Sequence, residues 1–380
     1  MLKIIVDENV AYAKEAFSSL GEVRLLPGRE ITSKKVKDAD ALIVRSVTKV
    51  NEGLLRDSKI KFVGTATIGT DHVDKEYLKS NDIYFTDAAG CNADAVTEFV
   101  FTLLTKIICE QNLSFHDLTI GIVGVGNVGS RIARLSETLG MNVLKNDPPI
   151  HRKTGGIDFV DLNEVLKADI ITLHVPLNIE GIDKTYNLFD EKIQKRLKDK
   201  VILINSCRGP VVNNAVLEKM IIQKQFNAVL DVWENEPNIN LSLLRKVKYG
   251  TPHIAGYSFE GKVNGTTMVY NKLCKFLKEE TKWKPALPEV KDSVIKLDEM
   301  LSKEQTLNNI FSSIYNIERD DSNLRKLFAT EEDERGKYFD NLRKTYPLRR
   351  EFTNYTIKMN ARDSKLEEIL KAFRFTVISS

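Results

Sequence analysis

The chain has no CxxC pair, no long apolar run and no excess of one charge, and each absence removes a class of function. The four cysteines, Cys91, Cys109, Cys207 and Cys274, are scattered without the spacing of a zinc site or a disulfide framework, so neither a metal nor a disulfide is expected. A bilayer span needs about 20 predominantly apolar residues, and no run approaches that length, so no membrane association is expected. The 56 basic and 53 acidic residues leave a formal net charge of +3. That balance supplies no concentrated basic field, and nucleic acid is not expected as a partner. The opening "MLKIIVDENV" reads as a strand rather than a signal peptide. A reducing cytoplasm is the expected home. Internal repeats and low-complexity segments are missing as well.

What remains is an ordinary globular composition, 42% hydrophobic and 29% charged over 380 residues, long enough for two or three domains. From Met1 to about Asn92, short apolar runs ("KIIVD", "ADALIVRS", "IKFVGTA", "IYFTD") alternate with helix-like segments, the rhythm of parallel βαβ units. The stretch "DAVTEFVFTLLTKIIC" sets Val96, Phe99, Val100, Leu103, Leu104 and Ile107 at helical spacing, with Asp94 placed to cap it. A second series of strand candidates follows: "LTIGIVGVG", "MNVLKND", "ADIITLHVP", "KVILINS" and "FNAVLDV". Another helical stretch runs to about Lys282, and "KWKPALPEV", with two prolines, reads as a linker. The remainder shows amphipathic helices and two strand-like pieces, "FTNYTIKM" and "FRFTVIS". It reads as a small α+β module that must pack on another body to bury its core.

In "LTIGIVGVGNVGSRIARLSETLG", Gly124, Gly126 and Gly129 stand in GxGxxG order between a strand and a helix. Such a loop binds a dinucleotide when the first glycine makes a tight turn, the second admits the pyrophosphate and the third lets helix pack on strand. The loop residues Asn127 and Val128 are candidate cofactor contacts with them. A glycine-rich turn alone is weak grounds. Here the next strand ends on Asp147, 18 residues after Gly129, about where a carboxylate should accept the ribose hydroxyls. An acid at that place repels a 2′-phosphate, which favours NAD over NADP.

Ligands of open α/β sheets lie beyond the carboxyl ends of the strands. The residues there are His174, the run Asn205, Ser206, Cys207 and Arg208, then Asp231, Glu236 and His253. An Arg, Glu and His at one cofactor mouth suit the oxidation of an alcohol beside a carboxylate. The histidine takes the hydroxyl proton, the glutamate fixes its tautomer, and the guanidinium holds the carboxylate bidentately. A 2-hydroxy acid is the implied substrate. Blander readings stand beside these. Arg208 could serve only as a salt-bridge or cap, and His174 could pack on a cofactor or satisfy a backbone group. Cys207 reads as a small neutral residue lining the cofactor rather than a nucleophile. His72, His116 and His151 read as structural.

The motifs "GIVGVGNVGSRIA", "LINSCRGPVVNNAVL", "LDVWENEP" and "TPHIAGYSFEGK" closely resemble the D-2-hydroxyacid dehydrogenases, and the resemblance covers essentially the whole chain. With "VRSVTKVN", "VGTATIGTDHVD" and the tail after "ALPEV", it is strongest to the branch that oxidises 4-phospho-D-erythronate to (R)-3-hydroxy-2-oxo-4-phosphooxybutanoate, a step toward pyridoxal 5′-phosphate. The fold implied is α/β, two Rossmann-like parallel-sheet domains with an additional C-terminal α+β dimerisation domain. A discontinuous flavodoxin-like substrate domain would take residues 1–92 and 257–284, the NAD domain 93–256 and the dimerisation domain 285–380, in a homodimer. Carried over by residue, Arg208, Glu236 and His253 are catalytic. Ser46, Thr67, Arg208 and Tyr257 contact substrate, while Asp147, Cys207, Asp231 and Gly256 line the NAD site. Val175 stands where the family pattern has a threonine that could bond the cofactor, which puts that contact in doubt. The basic pair Arg349 and Arg350 suggests that one of them reaches the substrate 4-phosphate across the dimer. The competing functions are a dehydrogenase of another phosphorylated hydroxy acid, such as 3-phosphoglycerate, and a non-catalytic NAD(H)-sensing interaction protein.

Overall fold

Runs such as Ala-Leu-Ile-Val at 41–44 and Ile-Ile-Thr-Leu at 170–173 carry no polar face. Strands of that kind are stable where helices cover both sides of a parallel sheet. The computed structural model, which describes residues 1–297, 301–360 and 363–379, uses them in this way, and every residue of both runs is buried. The described residues form two compact units. One comprises Met1–Ala93 and Ser258–Glu289; the other comprises Asp94–Tyr257 and the described residues from Val290 onward.

The first unit holds β1 (Leu2–Asp7), β2 (Gly21–Leu26), β3 (Ala41–Val44), β4 (Phe62–Thr65) and β5 (Tyr84–Thr86). They make one parallel sheet in the order β2-β1-β3-β4-β5. The long helix Phe259–Leu277 packs on it, placing Val269, Tyr270, Leu273 and Cys274 in one core with Ile4, Val6, Ile43 and Phe62. The stretch 282–290, read as a linker, has no regular structure.

The second unit is built on β6 (Thr119–Val123), β7 (Asn142–Asn146), β8 (Ile170–Leu173), β9 (Ile202–Asn205), β10 (Asn227–Leu230) and β11 (Tyr249–Gly250). All are parallel, in the order β11-β10-β9-β8-β6-β7. The chain leaves β6 for β7 on one side and returns to β8 on the other, so the strand order reverses beside β6, the place where open α/β sheets bind ligands. The helix Ala93–Glu110 buries the six residues singled out by their spacing. Asp94 lies in its first turn rather than at its cap and pairs with Arg131 at 2.8 Å and Arg374 at 3.0 Å.

Three short strands follow, β12 (Val294–Leu297), β13 (Thr356–Met359) and β14 (Thr376–Ser379). They form a parallel sheet in that order, where two strands in an α+β pattern were expected. The four residues of β12 alternate between exposed and half-buried, too short a run to announce itself in sequence. The strands are parallel because the helix Ser364–Ala372 crosses from β13 to β14. This segment shares cores with the six-stranded layer. Leu307, Phe311, Phe352 and Phe373 pack with Phe99, Phe101 and Leu104, and Leu324, Leu327 and Phe339 join the cluster around Trp233. Among the described residues, no helix is long and apolar enough to cross a membrane.

Candidate active site

The end of β9 is shaped by one buried amide. Asn205 accepts the Cys207 N–H on Oδ1 at 3.2 Å and donates Nδ2 to the Arg208 carbonyl at 3.0 Å. This closes a tight turn that commits the direction of Arg208. The Arg208 guanidinium, half-buried, donates to the Cys207 carbonyl at 2.7 Å. At Gly209 a Cβ would collide with the Trp233 carbonyl. Glycine is therefore the residue that lets the Arg208 loop lie directly on the loop carrying Glu236.

That second loop meets the histidine. His253 Nδ1 lies 2.8 Å from Glu236 Oε2, and Glu236 Oε1 accepts the Trp233 N–H at 2.8 Å. Burial pushes the Glu236 carboxyl up, but the His253 imidazole and the Trp233 N–H outweigh it and hold the group below its ordinary range. An ionised carboxylate only accepts, so Nδ1 carries the proton and Nε2 keeps the lone pair. His253 has φ of 58°, a left-handed conformation that costs a residue with a Cβ roughly 1–2 kcal/mol and persists only where the surroundings enforce it. Asp231, 1% exposed, helps to enforce it. Its Oδ1 accepts Thr251 Oγ1 at 2.6 Å and the Ile254 N–H at 2.7 Å, while Oδ2 accepts the Ala255 N–H at 3.0 Å. Burial raises the Asp231 carboxyl against the opposing pull of His253 and these donors. Expected at the NAD site, Asp231 is seen here stapling the loop that carries His253.

The glycine loop fits a dinucleotide on steric grounds. Gly124 has φ of 88°, and a Cβ there would stand 2.6 Å from the His174 carbonyl oxygen. A Cβ on Gly129 would collide with the Gly124 carbonyl. Around Gly126, by contrast, nothing lies within 4 Å of a Cβ, so the space that a pyrophosphate needs is open. Val128 immediately precedes the helix Gly129–Leu139, and the exposed Asn127 gives its carbonyl to Arg131. Asp147 accepts the Val125 N–H at 2.7 Å and caps the next helix through the Ile150 N–H at 3.0 Å. At the end of β9, Ser206 Oγ is buried without a partner, a polar atom suited to a ligand. The loop, Asp147 and Ser206 together are the residues that could hold NAD.

Other expected positions resolve differently. His174 Nε2 lies 2.8 Å from Thr172 Oγ1, a partner that the sequence did not suggest, and burial pushes its pKa down to about 3. Val175 packs by Gly124. Burial raises the Cys207 thiol, which suits an inert lining residue. Gly256 is half-buried on the His253 loop. Tyr257 meets the Tyr346 ring edge-on at 5.9 Å, with the Arg343 guanidinium 5.7 Å from its own ring. Ser46 follows β3 and is exposed; Thr67 follows β4, and its hydroxyl pairs with Thr65 Oγ1 at 2.7 Å and donates to the Gly69 carbonyl at 3.1 Å. Arg349 and Arg350, expected as cations reaching out of the chain, are only 6% and 7% exposed. Arg349 donates to the Ala255 and Ala95 carbonyls and Arg350 to Asn354 Oδ1.

Residues 108–255 match the family described as D-isomer specific 2-hydroxyacid dehydrogenase, NAD binding domain. Residues 286–372 match the domain of unknown function DUF3410. The chain is 48% identical over 357 residues to the erythronate-4-phosphate dehydrogenase of Escherichia fergusonii, covering 93% of each. It is 45% identical over 381 residues to the Salmonella arizonae protein of the same name, covering 99% of each. Among solved structures, the D-lactate dehydrogenase of Aquifex aeolicus complexed with NAD and lactic acid superposes with a TM-score of 0.60 at 26% identity. That match covers 73% of this chain and 95% of the other.

Proposed function

The chain belongs to the D-isomer specific 2-hydroxyacid dehydrogenases, in the branch named erythronate-4-phosphate dehydrogenase, and from that premise we propose how its residues perform the reaction. It is an NAD-dependent dehydrogenase. The reaction is oxidation of 4-phospho-D-erythronate to (R)-3-hydroxy-2-oxo-4-phosphooxybutanoate, in the biosynthesis of pyridoxal 5′-phosphate.

The observation that carries the assignment is the 2.8 Å contact from His253 Nδ1 to Glu236 Oε2. It leaves Nε2 as the base that removes the C2 hydroxyl proton, and Glu236 stabilises the imidazolium that results. Arg208, on the adjoining loop, holds the substrate carboxylate and polarises the carbonyl as it forms. NAD, when bound, accepts the hydride. Ser46, Thr67 and Tyr257 are assigned to substrate. Gly124, Gly126, Asn127, Val128, Gly129, Asp147, His174, Val175, Ser206, Cys207, Asp231 and Gly256 are assigned to the cofactor side. Residues 1–92 with 257–284 serve as the substrate domain and 93–256 as the NAD domain. The assembly is a homodimer in the cytoplasm, with 285–380 as its dimerisation region.

The test follows NADH absorbance in the reverse direction, on 2-oxo-3-hydroxy-4-phosphobutanoate and separately on 3-phosphohydroxypyruvate, with His253→Ala as control. Turnover of the four-carbon compound, lost in the variant, supports both substrate and base. A preference for the three-carbon compound refutes the substrate assignment.

A further inference from the structure

The strained loop around His253 is held from two sides, and only one of them belongs to the dehydrogenase sheet. Asp231 takes the donors of the loop, Thr251 Oγ1 and the N–H groups of Ile254 and Ala255. The carbonyl of Ala255 accepts instead from the C-terminal segment, where Arg349 Nη2 donates to it at 2.5 Å and to the Ala95 carbonyl at 3.1 Å. On the near side of His253, the Gly250 N–H donates to Asp321 Oδ1 at 2.8 Å. Asp321 is itself fixed by Arg325, Nε to Oδ2 at 2.7 Å. Beyond His253, Tyr257 packs against both Arg343 and Tyr346. Residues 250, 255 and 257, on either side of His253, therefore each touch a residue between 321 and 349.

Arg349 is an unusual choice for that place. Its guanidinium is buried over the Tyr315 ring at 4.7 Å, Nε and Nη1 have no hydrogen-bond partner, and among the described residues no carboxylate lies within ion-pair distance. Burial disfavours the charge, but Tyr346, Tyr315, Glu98 and Asp320 around it outweigh burial and keep the guanidinium charged. An apolar residue could replace neither the bond to Ala95 nor the one to Ala255, two residues from His253.

We propose that the C-terminal segment is part of the catalytic apparatus, with Arg349 and Arg343 as positioning residues that brace the His253 loop so that the imidazole meets Glu236 in its left-handed backbone geometry. The proposal rests on the reading of His253 as the base. It gives the segment a task within its own chain, in addition to any role in dimerisation.

The experiment uses the full-length protein and the variants Arg349→Met, Arg349→Lys and Arg343→Met. It measures kcat and KM for the four-carbon substrate, the Kd for NADH and the pH profile of kcat/KM. Because small misplacements of catalytic groups are costly, kcat in the two methionine variants should fall by about 10- to 100-fold, with KM changing less. NADH affinity should stay within about twofold of the parent. In the oxidation direction, where the histidine acts as base, the acid limb of the profile should move to lower pH, the direction expected when the base loses its carboxylate partner, a change that a merely structural role would not produce. Lysine at 349, able to reach the Ala255 carbonyl, should recover part of kcat. Should Arg349→Met fail to bind NADH, Arg343→Met decides by the same criteria. A kcat within twofold of the parent in the NADH-binding methionine variants overturns the brace while leaving the reaction intact. A parent that binds NADH without turning over the substrate overturns the reading of the reaction, and the brace with it.

Discussion

Gly209 and Trp233 touch backbone to backbone. No side chain fits at Gly209, because its Cβ would run into the Trp233 carbonyl. Through this contact the loop of Arg208 and the loop of Glu236 share one wall, and the distance between guanidinium and carboxylate depends on it.

Gly209→Ala should therefore push the two loops apart. The expected result is a kcat/KM reduced about 100-fold and a melting temperature lowered by several degrees, while NADH binding, assigned above to the Gly124 loop, persists. Steady-state kinetics beside a thermal melt would check it, and an alanine variant with parental kinetics would refute the shared wall.

Glu236→Gln replaces an obligate acceptor with a group that can also donate to Nδ1, so the histidine loses its enforced tautomer. The expected kcat is about 10- to 1,000-fold lower, within the range that positioned acid–base groups contribute. Little change should appear in NADH affinity, measured by fluorescence titration. If kcat survives, Glu236 does not orient the base.

Two of the loop glycines, Gly126 and Gly129, should separate in their effects. Gly126 has open space where a Cβ would stand, whereas Gly129 has none. Gly126→Ala should keep the parental melting temperature yet weaken NADH binding at least about tenfold, because a methyl group would occupy the pyrophosphate space. Gly129→Ala should destabilise the fold itself. A Gly126→Ala protein that binds NADH normally would place the pyrophosphate elsewhere.

A buried carboxyl remote from this chemistry gives a stability prediction. Glu98 accepts from Arg374 at 2.8 Å and from the Phe352 N–H at 2.9 Å. Arg374 also serves Glu351 at 2.9 Å and Asp94 at 3.0 Å. Glu98 and Glu351 are both buried and share this guanidinium. Burial first, then the charge of Glu351, push the Glu98 pKa up to about 8 despite the ion-pair geometry. Because the folded value lies above the unfolded one, the folded state favours the protonated acid. Its contribution is complete below about pH 4 and is lost as pH rises through about 8. The melting temperature should accordingly fall between about pH 4.5 and about pH 8, and Glu98→Gln, which keeps an acceptor for the Phe352 N–H, should flatten that fall. Equal slopes in the two proteins would show that Glu98 is not the group responsible.

The glycine loop, Asp147 and the two series of βα units were legible in the sequence because each depends on neighbours within about 30 residues. Strand, turn and helix follow from local sterics and from apolar runs that only a covered sheet can bury. Arg208, Glu236 and His253 could be singled out as well, since topology sends every residue after a parallel strand to the same edge. The sequence did not disclose what each side chain meets there. Asp231 turned to the backbone of 251–255 rather than outward, and His174 found Thr172. "LRRE", which reads as surface charge, became two buried arginines. These outcomes depend on contacts between residues as far apart as Ala95 and Arg349, whose geometry arises only when the six-stranded sheet and the C-terminal segment are assembled around their shared cores. A charged pair in a sequence carries no mark of what will pack over it, and that decision belongs to the tertiary structure.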